Sequence, residues 1–187
     1  MKLIALIVAL FASLCQAQEP IHVYLMAGQS NMVGGGSANA LPPEWRTQTD
    51  VWFTSWINEE TPTVWGPLTV RDVPNNTRDL FGPEITFGRI IKDMHPDWEI
   101  AIIKVAYNGT QVTQWLGIYT GTQNRHMWSR LTMFVDQRLN DLELMGYEPI
   151  IEAMVWDQGE ADSTHFARAN SYQTNLSQFI TNVRARW

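Results

Sequence analysis

Apolar positions along the chain fall into two patterns. Val23 to Ala27 is a short continuous apolar run with β-branched and aromatic members, bounded by turn residues, and it predicts a buried strand. Glu99 to Ala106 is the clearest run of this kind, and Pro149 to Trp156 is another. Val51 to Trp56 alternates only partly but is rich in strand-forming residues. Elsewhere the apolar residues recur at three and four. In Pro83 to His95 the stripe is Ile85, Phe87, Ile90-Ile91 and Met94, with Pro83 and Glu84 suited to a positive helix start and His95-Pro96 to its end. In Ser129 to Leu144 it is Leu131, Phe134-Val135, Leu139 and Leu142, and Gly146 follows as a natural stop. Phe166 to Trp187 carries Tyr172, Leu176, Phe179-Ile180 and Val183. Residues 33 to 50 read as a Gly-, Ala- and Pro-rich surface loop, and residues 58 to 79, with Pro62, Pro67, Pro74, Asn75 and Asn76, as a second.

Strand, helix, strand order predicts an α/β fold with a central parallel sheet. In such a sheet all carboxyl strand ends lie on one edge, where the ligand crevice forms. Ser30 follows the first strand, Asn108 follows Ala106, and Gln158 and Glu160 follow Trp156. Three polar blocks can therefore converge. No repeat, low-complexity tract or linker divides the chain, and one domain is expected over residues 18–187.

Composition narrows the possibilities. Met1-Lys2, an apolar stretch from Leu3 to Leu14 and the small residue Ala17 spell a secretory signal peptide over residues 1–17, too short to span a bilayer. A secreted or periplasmic protein is the consequence, with no membrane attachment after cleavage. A lipoprotein anchored at Cys15 is the alternative, disfavoured by bulky Leu14 before the Cys. Cys15 is the only cysteine, so the mature chain would hold no disulfide and no thiolate nucleophile or ligand. The formal charge is −6 and Lys and Arg form no run, which argues against nucleic acid as a partner.

The four polar stretches also carry a resemblance. Gly28-Gln29-Ser30-Asn31-Met32, Phe81-Gly82-Pro83-Glu84, Ala106-Tyr107-Asn108-Gly109-Thr110 with Trp115, and Trp156-Asp157-Gln158-Gly159-Glu160-Ala161-Asp162 resemble, in order, the blocks of the SGNH hydrolases. The match is to the sialate O-acetylesterase and carbohydrate esterase family six branch, which includes acetylxylan esterases, and it covers about Ile21 to the end. It implies a three-layer flavodoxin-like fold and hydrolysis of acetyl esters on sugars by an acyl-enzyme, without a cofactor. Ser30 would be the nucleophile. Gly82 and Asn108 would assist the oxyanion with the Ser30 N–H, although this branch often has Gly where Asn108 stands. Gln158 and Glu160 would line the site.

A serine hydroxyl needs a positioned base to attack an ester. The family carries a late Asp-x-x-His after a further strand. Asp162-Ser163-Thr164-His165 has that spelling, but Asp162 already belongs to the fourth block. Three readings are open: a truncated chain lacking the last strand and helix, recruitment of His165 as base, or lost catalysis. His22, His95 and His126 read as structural. Two other functions compete with an esterase acting on an acetylated carbohydrate. One is a carbohydrate-binding protein that no longer turns over, with Trp45, Trp52, Trp56, Trp65, Trp115 and Trp128 available for sugar stacking or for a core. The other is a metal hydrolase using Asp157, Glu160, Asp162 and His165, whose spacing fits no standard ligand set.

Overall fold

The computed structural model describes residues 18–72, 79–117 and 126–187. The signal peptide expected over residues 1–17 lies outside these residues, as do Pro74, Asn75 and Asn76. Seven strands and five helices follow in chain order: β1 (Glu19–Gly28), α1 (Ser30–Val33), β2 (Gly36–Ser37), β3 (Thr47–Ile57), β4 (Gly66–Thr69), β5 (Leu80–Phe81), α2 (Pro83–Met94), β6 (Glu99–Ala106), α3 (Met127–Leu144), β7 (Tyr147–Asp157), α4 (Glu160–Ser163) and α5 (Phe166–Arg186). Among the described residues no helix is long and apolar enough to cross a membrane.

The main sheet has the order β4-β3-β6-β1-β7. All its pairings are parallel except β3 with β4. The trio β6-β1-β7 has the 2-1-3 order of a flavodoxin-like doubly wound sheet, and β3 is added outside it. The chain leaves β1 on one side and later crosses to the other for β7, which puts the topological switch point between β1 and β7. Gly28 is in register with both Ala106 and Asp157, and Ala106 with Ile57. Four strands thus stop level with one another, and the blocks beyond them share one edge.

The inner strands β1 and β6 are covered on both faces, which explains runs that are apolar without alternation, whereas the edge strand β7 has no fully buried residue. Ile21, Val23, Leu25 and Ala27 of β1, with Ala101, Ile103 and Val105 of β6, face Leu131, Phe134 and Val135 of α3 and Phe179 of α5. Tyr24 and Met26, with Ile100 and Ile102, face Ile85 of α2, Met32 of α1, Leu68 of β4 and the loop residue Leu41. The result is the expected three-layer arrangement. The loops hold more structure than their composition suggests. β2 pairs with β5, and the 3-10 turns Ala38–Ala40 and Pro43–Trp45 lead into β3, which begins at Thr47 rather than Val51. Gln48 shows why the pattern hid this start. It is buried, yet polar, because its amide nitrogen donates to the Ile85 carbonyl at 2.8 Å. The second loop contains β4.

Two close approaches fasten the layers under the strand ends. Gly34 has φ +87, and a Cβ there would sit 2.2 Å from the Gly82 Cα. The backbone after α1 therefore packs directly on the backbone before α2. Beside it lies an ion pair. Lys104, fully buried in β6, places Nζ 2.5 Å from Glu84 Oε2 and donates to the Val33 carbonyl at 3.2 Å. Glu84 Oε1 accepts the Gly82 N–H at 2.9 Å. Burial pushes the Lys104 ammonium below its ordinary value, and the Glu84 charge opposes that shift.

Gly34→Ala should lower stability by about 3 kcal/mol in urea titrations, because left-handed strain adds to a backbone clash. Lys104→Met should cost about 3 to 5 kcal/mol by leaving Glu84 charged and unpaired, whereas Lys104→Met with Glu84→Met should recover most of that loss. An additive double variant would contradict this account.

Candidate active site

Ser30 begins α1 directly beyond β1. The turn is made possible by Gly28, where an added Cβ would meet the Asp157 carbonyl oxygen at 1.9 Å. The Gln29 N–H then donates to that same carbonyl at 2.9 Å, so the chain is held as it leaves the sheet. The Ser30 side chain is exposed, and its hydroxyl accepts from Gln29 Nε2 at 3.4 Å. Its N–H lies in the first turn of α1, where a helix offers no backbone partner. That places a hydroxyl and a free-ended amide together at the switch point.

The fourth block reaches the same place through Gln158. Its Nε2 donates to Asp162 Oδ2 and to the Thr110 carbonyl, each at 2.7 Å, and lies 3.2 Å from Gln29 Oε1. Asp162 Oδ2 also accepts the Val112 N–H at 2.9 Å. Gln29 Oε1 accepts the Ala161 N–H at 3.2 Å. The Gln158 carbonyl is fixed by the Tyr172 hydroxyl at 2.5 Å. With every nearby group an acceptor, Gln158 must present its nitrogen to them. Its Oε1 is left buried without a donor among the described residues.

Glu160 is exposed and accepts a hydrogen bond from the side-chain amide of Asn31, the residue after Ser30. Asp157, half-buried at the end of β7, has its carboxyl raised above the usual range, chiefly by desolvation and then by the Glu160 charge. Gly82 stands against Gly34, with its N–H engaged by Glu84. Asn108 is exposed at the end of β6, and its N–H donates to Asn58 Oδ1 at 2.8 Å. The Tyr107 N–H donates to the Gly28 carbonyl at 3.0 Å, which ties this block to the Ser30 turn. Gly109 turns the chain with a positive φ of +67, while Asn108 does not share it.

Asp162 and His165 do not form a side-chain pair. The Asp162 carboxylate is buried against Val112 and Gln158, while the exposed His165 ring has Nδ1 3.0 Å from Thr164 Oγ1. Glu160 and Asp162 serve separate partners, and among the described residues no cluster is suited to a metal ion. Of the tryptophans named for sugar stacking, one is core and the other five are half-buried. Trp115 is fully buried, and Trp45, Trp52, Trp56, Trp65 and Trp128 all pack on the two core clusters. Sequence reasoning missed three residues that shape the site, Gln29, Asn58 and Thr110. A polar Gln closing an apolar strand was the one signal available for Gln29.

The raised Asp157 carboxyl gives a signed pH effect. Stability falls as pH rises from the unfolded value to the higher folded value, because the folded state holds its proton longer. Asp157→Asn should therefore stabilise the chain at neutral pH, with the gain vanishing below the unfolded carboxylate range. Thermal melts from pH 3 to pH 8 would show this, and a gain that persists at pH 3 would contradict it.

The chain is similar to a probable carbohydrate esterase of Arabidopsis thaliana, 26% identical over 190 residues, covering 90% of this chain and 66% of that relative. It thus spans just under two thirds of the relative's length. The crystal structure of the plant protein superposes with a TM-score of 0.66 at 22% identity, covering 89% of this chain and 69% of that one. A carbohydrate acetylesterase from Xanthomonas citri superposes with a TM-score of 0.58 at 16% identity, covering 88% of this chain and 38% of that one. At these identities the two structures speak for the fold. The family model described as carbohydrate esterase, sialic acid-specific acetylesterase, matches residues 20–187, and the chain belongs to that family.

Proposed function

We propose that this protein is a secreted serine esterase that removes O-acetyl groups from a carbohydrate of the sialic acid or xylan type. The observation that carries the reading is the placement of an exposed Ser30 at the switch point, among Gln29, Gln158 and Asn31. Ser30 Oγ attacks the acetyl carbonyl as its hydroxyl gives up a proton, the ester C–O bond breaks and the departing sugar oxygen takes up that proton, and water then cleaves the acyl-enzyme to release acetate and restore the Ser30 hydroxyl. The Ser30 N–H, in the first turn of α1, faces the developing oxyanion, and the Asn108 side chain adds a donor from the end of β6. Asn31 and Glu160 hold the entrance of the turn, and Gln158 fixes the strand ends around it.

The general base is a separate matter. His165 is turned to Thr164, and Asp162 is spent on Gln158 and Val112, so neither is arranged as a catalytic dyad. We assign His165 no part in proton transfer. The carbohydrate-binding alternative loses Trp115, which is buried in the core, and the other five tryptophans named for stacking are half-buried against the core clusters.

Hydrolysis of p-nitrophenyl acetate and of acetylated sugars, together with fluorophosphonate labelling, tests the reading. Ser30→Ala should abolish labelling and lower kcat by about a thousandfold or more. His165→Ala should leave kcat within about threefold of wild type, whereas loss of a general base removes about a hundredfold or more. Binding of acetylated sugar without labelling or turnover would favour the second function instead.

A further inference from the structure

The end of β3 carries a residue in an unusual conformation. Asn58 has φ +50, and it is the one non-glycine residue with positive φ among those described. All three of its polar groups that face the protein are used. Its N–H donates to the Ala106 carbonyl at 2.9 Å, and its carbonyl accepts from the Arg130 guanidinium. Its side-chain oxygen accepts the Asn108 N–H at 2.8 Å.

The register explains this arrangement. Ile57 pairs with Ala106, and the Asn58 N–H to Ala106 bond continues the parallel ladder by one step. In an uninterrupted parallel ladder the next acceptor, for the Asn108 N–H, is the main-chain carbonyl of residue 58. The left-handed turn at Asn58 swings that carbonyl away to Arg130. The Asn58 side chain then supplies the missing acceptor. Asn suits both needs, because it tolerates a positive φ and carries a short carbonyl.

Arg130 is itself fixed. Its guanidinium lies 4.4 Å from the centre of the Trp56 ring and 5.1 Å from that of Tyr107, and it pairs with Glu59 at 3.4 Å. Glu59 in turn accepts from the Tyr107 hydroxyl. The turn after β3 is therefore locked to the block after β6 from both sides.

We infer that Asn58 is a positioning residue for the active site: its side chain replaces a lost ladder acceptor and thereby fixes the backbone that carries Asn108. The inference rests on the esterase reading, in which Asn108 serves the oxyanion. Asn58 does not touch the substrate. Its contribution belongs to kcat, because a misplaced donor weakens transition-state stabilisation more than ground-state binding.

Three variants separate the conformation from the acceptor. Asn58→Gly keeps the left-handed turn and removes the acceptor. Asn58→Asp keeps an acceptor of the same reach. Asn58→Ala removes the acceptor and strains the turn. Two readouts apply: steady-state deacetylation, and amide hydrogen exchange at Asn108 followed by NMR. Asn58→Gly should lower kcat roughly tenfold to a hundredfold with KM changed less than about twofold, and should speed Asn108 exchange. Asn58→Asp should restore both towards wild type. Thermal melts should show Asn58→Gly folded, so that a loss of kcat is not a loss of protein. Wild-type kcat and slow Asn108 exchange in Asn58→Gly would overturn the inference, as would Asn58→Asp behaving like Asn58→Gly. If the wild-type enzyme releases no acetate, the esterase reading fails, and amide exchange still decides whether Asn58 anchors Asn108.

Discussion

The side-chain nitrogen of Gln158 lies within hydrogen-bonding distance of the Thr110 carbonyl, the Asp162 carboxylate and the Gln29 side-chain oxygen. Those three acceptors follow β6, β7 and β1, respectively. One buried amide thus closes the ends of the three strands that frame the switch point. The bond to Asp162 carries charge and is made away from water, so it is stronger than a neutral bond at the surface. The alternative is severe, because a buried carboxylate with fewer donors would have to be rehydrated or protonated. The network therefore selects one arrangement of the loops beyond the sheet. Ser30 inherits that arrangement through its neighbour Gln29.

The carboxyl ends of β1 and β6 were legible because burial on both faces leaves an apolar run that only a covered strand tolerates, and that of β7 from strand-forming residues although its outer face is open. Helices α2, α3 and α5 were legible from a stripe at three and four with clear stops. The small elements were not. β2 and β5 have two residues each and pair over a distance no local pattern reports. β3 opens with Thr47-Gln48-Thr49-Asp50, a polar stretch that is a strand because β4 and the Ile85 carbonyl supply its partners. Periodicity reads burial of apolar groups, and it is blind to polar residues buried with partners.

The same limit governs the site. Ser30, Gln158 and Glu160 could be placed on one edge from strand order alone, because parallel strands deliver their outgoing loops to a common side. Asp162 and His165 share a spelling with a catalytic dyad, yet spelling does not say which way a carboxylate turns. Here the competition is decided by burial. Asp162 sits where the Val112 amide would otherwise lack an acceptor and within reach of the buried Gln158 side-chain nitrogen, and an exposed imidazole can turn to Thr164 or to water. The inward partners suffer most if abandoned, so they hold the carboxylate.

Lys104 and Asn58 share a pattern. Both are polar residues at places where sheet or backbone geometry runs out of ordinary partners. Lys104 fills a gap between β6, α1 and α2 that an apolar side chain could also fill. It is held by Glu84, which in turn takes the Gly82 N–H. Asn58 stands where a ladder loses its next carbonyl. Neither adds to the core in the way that Ile102 or Phe134 does. Each instead joins a backbone group of one block to a strand of the sheet, so that the second block is held by β6 and the third by β3. A site assembled from four separated stretches has no local reason to keep its shape. The shape is kept because backbone amides are handed to side chains of other blocks or strands: Asn108 to Asn58, Val112 to Asp162 and Ala161 to Gln29, while Gly82 gives its amide to Glu84 of its own block, which Lys104 of β6 holds in turn.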